Sequence, residues 1–442
     1  MLWLPWALVA VSVNLALGAD VPRYHLPPGR MLVYSIHIEN LVGERSTAFD
    51  GRWEFTVLRD NADGSKRITA IKGLSQTTTA GGQSRTSENI TRGYFDMFPD
   101  GRLKLSPSLV PAFNPQMVLP RLPASGDEMS AGWKELFERS NVTTSYTMGQ
   151  PQGELLMFSG EEGGPYHAIN QRHDKWTYQF DPARGTISQV DGENGQNFGG
   201  EQKGSAQILL EKEEQLDENE AKSLAAEHDA FTKAYEQADE LTRQASAFLG
   251  DGQELFTKAE EVLTEASERA TLDPVKADFA EAIKQQSRAA SLHKSLSRRI
   301  EPLLHQPAPD FSLTDGQGNA HKLSDQQGKI VVLEFFRRNA NQAAYSLPQV
   351  QKLATKLKDK PVVFFGLNSD SEEDVKIVVD ATGVTYPVLR MDAQLGEYGI
   401  STLPATLIID QKGDIRAILQ GFSKSRAQDI AEHIEALLKT PA

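Results

Sequence analysis

Imidazole and carboxylate groups at close spacing bind metals or move protons, so the nine histidines are the first residues to ask for chemistry. His167 and His173 lie closest together, on Gly-rich segments that read as β, with no carboxylate at ligand spacing. No metal site is expected there. Asp60 to Asp63 and Asp315 to Asn319 resemble the openings of calcium loops, but neither continues to the terminal Glu of the twelve-residue pattern. Both read as hairpin turns. No Gly-x-Ser-x-Gly elbow, phosphate-binding loop or dinucleotide fingerprint occurs, and no cofactor is expected. Sulfur chemistry is excluded outright. The chain has no cysteine, so it offers no thiolate nucleophile, disulfide, thiolate zinc site or iron–sulfur cluster.

The balance of charge narrows the partners. A formal net charge of −14 opposes nonspecific binding to nucleic acid or anionic lipid, which Lys and Arg drive. A chain of 442 residues exceeds one ordinary core, and 39% hydrophobic with 24% charged residues fits a folded protein of two or three domains. Met1 to Ala19 form an apolar run with Ala16-Leu17-Gly18 at its end, read as a secretory signal peptide. No Lys or Arg precedes the run, and Pro5 and Asn14 interrupt it; the alternative is an uncleaved membrane anchor. A lipoprotein is excluded, because the lipid needs a cysteine. Asn89-Ile90-Thr91 and Asn141-Val142-Thr143 match the glycosylation sequon.

Three kinds of pattern follow. Residues 20–212 read as an antiparallel β sandwich or barrel, with alternation in Met31 to Ile38, Arg52 to Leu58 and Trp176 to Phe180. Turn signals separate the runs, a Pro-rich loop from Ser106 to Pro123 is expected to cross between sheets, and Glu161 to Gly164 and Gly192 to Gly200 read as loops. Residues 213–304 form a helical spacer. Leu224, His228, Phe231, Tyr235, Ala238, Ala245 and Phe248 share one face, Gly250-Asp251-Gly252 is a stop, and Asp273 is the expected N-cap before Pro274. Packing on neighbouring domains is expected rather than a dimerising coiled coil, because those breaks cut the heptads short. Residues 305–442 alternate strands and helices, after a linker at His305 to Pro309, in the order β-β-α-β-α-β-β-α; this predicts a mixed sheet with helices on both faces.

In this last region Ala308-Pro309-Asp310-Phe311, Val331 to Phe336, Leu347-Pro348, Tyr398-Gly399-Ile400, Leu403-Pro404-Ala405-Thr406 and Ile409-Asp410 together resemble the TlpA and AhpC/TSA (redoxin) branch of the thioredoxin superfamily. The resemblance covers about the last third of the chain and implies an α/β thioredoxin-like fold. It also implies a Cys-x-x-Cys pair at the start of the helix after Val331 to Phe336. Those positions hold Ala340, Asn341, Gln342 and Ala343. Thiol–disulfide exchange needs an attacking thiolate at a helix N-terminus and a second thiol to resolve the mixed disulfide. Alanine supplies neither, and peroxidase chemistry fails for the same reason. Ser346, one helical turn on, has no base close in sequence.

The resemblance implies two further features. Pro404 takes the place of a cis-proline beside the active loop, so Thr402, Leu403 and Pro404 are candidates for an edge that pairs with an extended peptide. Glu334 takes the place of a buried acid that in relatives lies under the cysteines. Arg337 and Arg338 replace small residues; they either pair Glu334, bind an anion or lie in a solvated loop, the last being the expected case. The reading is an exported, redox-inactive protein of the bacterial periplasm or cell envelope whose thioredoxin-like domain binds a protein or peptide, or is structural. Two rivals stand beside it: a thiol–disulfide oxidoreductase or peroxiredoxin-like protein by descent, and binding of a lipid or small apolar ligand inside the β domain. Membrane contact is expected only through an uncleaved leader.

Overall fold

Long alternating runs build the first half of the chain into one sheet. The computed structural model describes residues 21–105, 114–137, 141–197, 201–247, 252–339, 342–391, 395–421, 423 and 425–439. The apolar segment Met1 to Ala19 lies outside them. Strands β1 (Arg30–Val42), β2 (Arg45–Asp60), β3 (Lys66–Ala80) and β4 (Gln83–Met97) form a meander that ends in the short β5 (Leu103–Leu105). Helix α1 (Gly126–Ala131) precedes β6 (Trp133–Phe137), β7 (Val142–Met148) and β8 (Leu156–Gly163). Helix α2 (Pro165–Asn170) then leads into β9 (Arg172–Asp181), β10 (Thr186–Gln196) and β11 (Gln202–Gln215). All eleven strands hydrogen-bond in the order β5-β4-β3-β2-β1-β11-β10-β9-β8-β7-β6.

The sheet curls until both halves share a core. Tyr34, Trp53 and Phe55 from one half meet Phe158, Tyr178 and Phe180 from the other in a single cluster. Tyr34, Trp53, Phe55, Tyr178 and Phe180 are each no more than 2% exposed, so aromatic side chains fill the space that an apolar ligand would need. The barrel-ligand reading therefore finds no open apolar interior among the described residues. Residues 106–113 of the Pro-rich loop lie outside the described residues; beyond them, Val118, Leu119 and Leu122 pack into the core of the eleven-stranded sheet, so the expected crossing between two sheets finds no second sheet in this domain among the described residues.

Most of the described length of both glycine-rich segments expected as loops is strand, with Gly164 and Asn197 lying just beyond the strand ends. Glu161 to Gly163 end β8 and Gly192 to Gln196 end β10. The glycines mark close approach. Gly192 lies opposite Trp176 in the ladder, and a Cβ there would come within 2.3 Å of the Trp176 ring.

The helical region is α3 (Glu218–Ala247), α4 (Gly252–Ser267) and α5 (Asp273–Ile300). It packs on the sheet face opposite the aromatic core. Tyr94 points away from its neighbour Phe95 and joins Phe231, Tyr235, Ala238, Leu263 and Phe279 in a separate cluster. Ion pairs Arg59–Asp229 (2.9 Å) and Arg92–Asp278 (3.3 Å) flank that contact. Phe248 and residues 249–251 lie outside the described residues. Asp273 is not the cap of α5. Leu272 holds that place, and the Glu227 carboxylate from α3 accepts from the N–H groups of Thr271 and Leu272, both at 3.0 Å.

The C-terminal region begins with a hairpin, β12 (Ser312–Thr314) and β13 (Ala320–Lys322), closed by Asp315 accepting from Gln317 and Asn319 N–H. Then come β14 (Ile330–Phe335), α6 (Ala343–Lys356), β15 (Val362–Asn368), α7 (Glu372–Thr382), β16 (Val388–Arg390), β17 (Ala405–Ile409), β18 (Ile415–Gln420) and α8 (Arg426–Lys439). The sheet order is β16-β15-β14-β17-β18, parallel across β14 to β16 and antiparallel beyond. Every residue of β14 is buried, as its apolar run requires of a central strand. Helices α6 and α8 cover one face through Val350, Leu353, Ile430 and Ile434. The second face borrows its helix: Ile300 at the end of α5 packs with Phe311, Leu323 and Tyr398 against Val331, Leu333 and Phe335. His305 to Pro309, expected as a linker, runs along the β18 turn, with His305 N–H donating to Ile415 (2.8 Å) and Ala308 N–H to Gly413 (2.9 Å).

Candidate functional site

Strand β14 ends at Phe335, and the chain must turn through residues 336–342 to enter α6. Side chains from the β15–α7 connection fix that turn. Asn368 Nδ2 donates to the Phe336 carbonyl (3.0 Å), and the Arg338 N–H donates to Asp370 (2.6 Å). Ala340 and Asn341 lie outside the described residues. Gln342 is exposed just before α6, while Ala343 and Ala344, the first residues of the helix, are buried. Ser346 is buried too, and among the described residues its hydroxyl meets no hydrogen-bond partner, hence no base.

Arg338 corrects the expectation of a solvated loop. It is 6% exposed and does not pair Glu334. Its Nη1 donates to Asp374 (2.6 Å), while Nε (3.0 Å) and Nη2 (2.8 Å) both donate to the carbonyl of Ile169 in α2. Arg337 is half-buried, and its Nε has no hydrogen-bond partner among the described residues. Helix α2 belongs to the β domain, so a side chain of the turn reaches across two domains. Tyr166 of α2 stacks on Tyr345 of α6 (5.9 Å, 18°), and Ile169 packs with Phe336, Ala343, Ala344, Leu347, Val378 and Val384.

Beneath the turn, Glu334 is buried on β14. Thr406 Oγ1, its register partner on β17, donates to both carboxylate oxygens (2.8 and 2.9 Å). Burial pushes the Glu334 carboxyl up to about 7, against the opposing pull of the buried Arg426 cation and the Thr406 hydroxyl. On the other flank, the Leu403–Pro404 peptide is cis. Thr402 is exposed, Leu403 half-buried and Pro404 buried. Gln420 Oε1 accepts from the N–H groups of Ser401 (2.7 Å) and Thr402 (3.1 Å). The backbone of Leu403 makes no hydrogen bond among the described residues.

A second polar cluster was missed by spacing along the sequence. His167 sits on α2, not on a strand, and His173 lies apart from it on β9. Contrary to the expectation that no carboxylate falls at ligand distance, His167 Nε2 is 2.9 Å from Asp174 and 3.4 Å from Glu162. Burial alone would lower the His167 pKa, but hydrogen bonds to both carboxylates outweigh it and raise it to about 9. Arg172 forks onto the same Asp174 (2.6 and 2.8 Å), and Trp176 Nε1 donates to Glu162 (2.9 Å). Two carboxylates thus face a guanidinium and an imidazolium. The network clamps α2 to β8 and β9, and Glu162, His167 and Asp174 lie close enough together to hold a metal ion.

Comparison with known proteins bears on the C-terminal region. Residues 304–418 match the AhpC/TSA family. The chain is 32% identical over 133 residues to the thiol-disulfide oxidoreductase ResA of Geobacillus kaustophilus, covering 29% of this chain and 75% of that protein. It is 32% identical over 120 residues to the thioredoxin-like protein YneN of Bacillus subtilis, covering 26% of this chain and 71% of that one. Among solved structures, the exposed lipoprotein thioredoxin Etrx1 of Streptococcus pneumoniae aligns at 28% identity over 29% of this chain and all of the other, with a TM-score of 0.26.

Proposed function

This chain belongs, through residues 304–418, to the AhpC/TSA family, and on that premise we propose that it is a redox-inactive member whose thioredoxin-like domain binds an extended segment of another protein in the cell envelope. The observation that carries the reading is the pairing of a cysteine-free chain with a Leu403 backbone that makes no hydrogen bond among the described residues. A thiol-disulfide oxidoreductase, the activity named for the ResA relatives, needs a thiolate that no other side chain replaces. An unbonded peptide group beside an exposed Thr402 needs only a complementary strand to gain hydrogen bonds. Export to the envelope rests on the apolar segment ending at Ala16-Leu17-Gly18.

A photo-crosslinking residue placed at Thr402 of the full chain, expressed in its own cells, tests this. A discrete adduct is expected from position 402 and not from exposed Lys358 of the same domain. No adduct at 402, or insulin-disulfide reduction above background by the purified protein, overturns the reading.

A further inference from the structure

We propose that the turn and helix start where redox relatives carry their cysteines have become, in this chain, a seat for its own helix α2, locking the β domain onto the thioredoxin-like domain. The inference goes beyond peptide binding at Leu403 and does not depend on it. Three neighbouring parts of the turn converge on one short helix. Arg338 holds the Ile169 carbonyl, Tyr345 stacks on Tyr166, and Ala343 with Ala344 lines the pocket that takes the Ile169 side chain.

Each part fits a physical need of the helix. Ile169 lies in the last turn of α2, where carbonyls lack intrahelical partners, and a buried carbonyl left unbonded is costly. Arginine answers it with two donors and stays in place through Asp374. Ile169 is 1% exposed, and residues of the thioredoxin-like domain supply the buried side chains of its cluster. A bulky residue at 343 would displace it. A helix of six residues has no stability of its own, so α2 is ordered by what clamps it on both sides. The His167 network clamps it to the sheet, and the seat clamps it to the second domain.

The natural absence of cysteine makes a single-thiol reporter clean. In an Ile169→Cys chain, labelling by a thiol reagent should be slow. Adding Arg338→Ala should speed it at least about ten-fold, because the rate of a buried thiol follows local opening. A Leu263→Cys reporter in the helical core should stay protected in both backgrounds. Equal labelling of position 169 with and without Arg338 overturns the lock, as does labelling at the free-thiol rate in the parent. If Arg338→Ala exposes Leu263→Cys as well, Tyr345→Ala and Ala343→Leu are read against the same criterion.

Discussion

Thr406 Oγ1 donates to both carboxylate oxygens of Glu334 across the β14–β17 ladder, inside a strand pair that is otherwise apolar. Hydrogen bonding of this kind favours the charged acid, yet burial wins and holds the Glu334 carboxyl near 7, above its ordinary 4.5. The folded protein therefore keeps a proton there that the unfolded chain gives up above pH 4.5. Stability must fall as pH rises from about 5 to about 7, by up to about 3 kcal/mol from this group. Glu334→Gln should be more stable than the parent at pH 8 and near equal at pH 5, and urea unfolding at the two values measures it. A variant that loses stability equally at both would show that the carboxyl is not the source. Thr406→Val should extend the fall to higher pH, since it removes a donor that supports the ionised form.

His167 titrates with the opposite sense. Its folded pKa of about 9 lies above the ordinary 6.5, so its contribution is complete below pH 6.5 and is lost as pH rises through about 9. The imidazole resonances of His167 should titrate well above pH 8. His167→Gln should cost about 2–3 kcal/mol at pH 6 and much less at pH 10. A midpoint near 6.5 would mean that Asp174 and Glu162 do not hold it.

Gly192 is required by the ring opposite it. An added Cβ would press within 2.3 Å of Trp176, a residue whose Nε1 also bonds Glu162. Gly192→Ala should cost about 1–3 kcal/mol in urea unfolding, the range for overpacking a filled interior. It should also disturb Trp176 fluorescence. A neutral substitution would mean that the ring has room to move.

How far the sequence could be read depended on how local each cause was. The β14 run from Ile330 to Phe335 announces a buried central strand because every position is apolar or, at Glu334, internally bonded. The order β-β-α-β-α-β-β-α has one strand fewer than the structure before α6, where β12, β13 and β14 stand, and one fewer after α7, where β16 is only three residues, Val388 to Arg390, and carries no period. Gly192 and Gly195 read as loop residues by type, whereas their role is to leave room for Trp176 and His173 on the next strand. Arg338 could not be placed from sequence: its acceptor, the carbonyl of Ile169, lies 169 residues away and is a backbone atom with no residue-type signature. Glu162, His167 and Asp174 fall within a thirteen-residue window, so their convergence was open to inspection. Recognising it required seeing that residues 165–170 turn as a helix and fold His167 back over the strands.

Restoring two thiols asks whether the turn kept its geometry after losing its chemistry. Ala343 opens α6, where the helix N-terminus stabilises a nearby thiolate, and it is buried as a resolving thiol would be. Cysteine adds one sulfur to alanine, a small enlargement beside Ile169, so Ala340→Cys with Ala343→Cys should fold and form a disulfide that dithiothreitol opens. Catalysis asks more, because a substrate must reach the sulfur at 340 while α2 occupies its seat. The double variant should therefore cycle slowly against insulin, and adding Arg338→Ala should raise its turnover without changing the extent of oxidation. Alkylation followed by mass measurement reads the oxidation, and insulin turbidity reads the turnover. A folded double variant that never forms the disulfide would show that the turn no longer brings the two positions together. One that turns over equally fast with and without Arg338 would show that the docked helix does not restrict access.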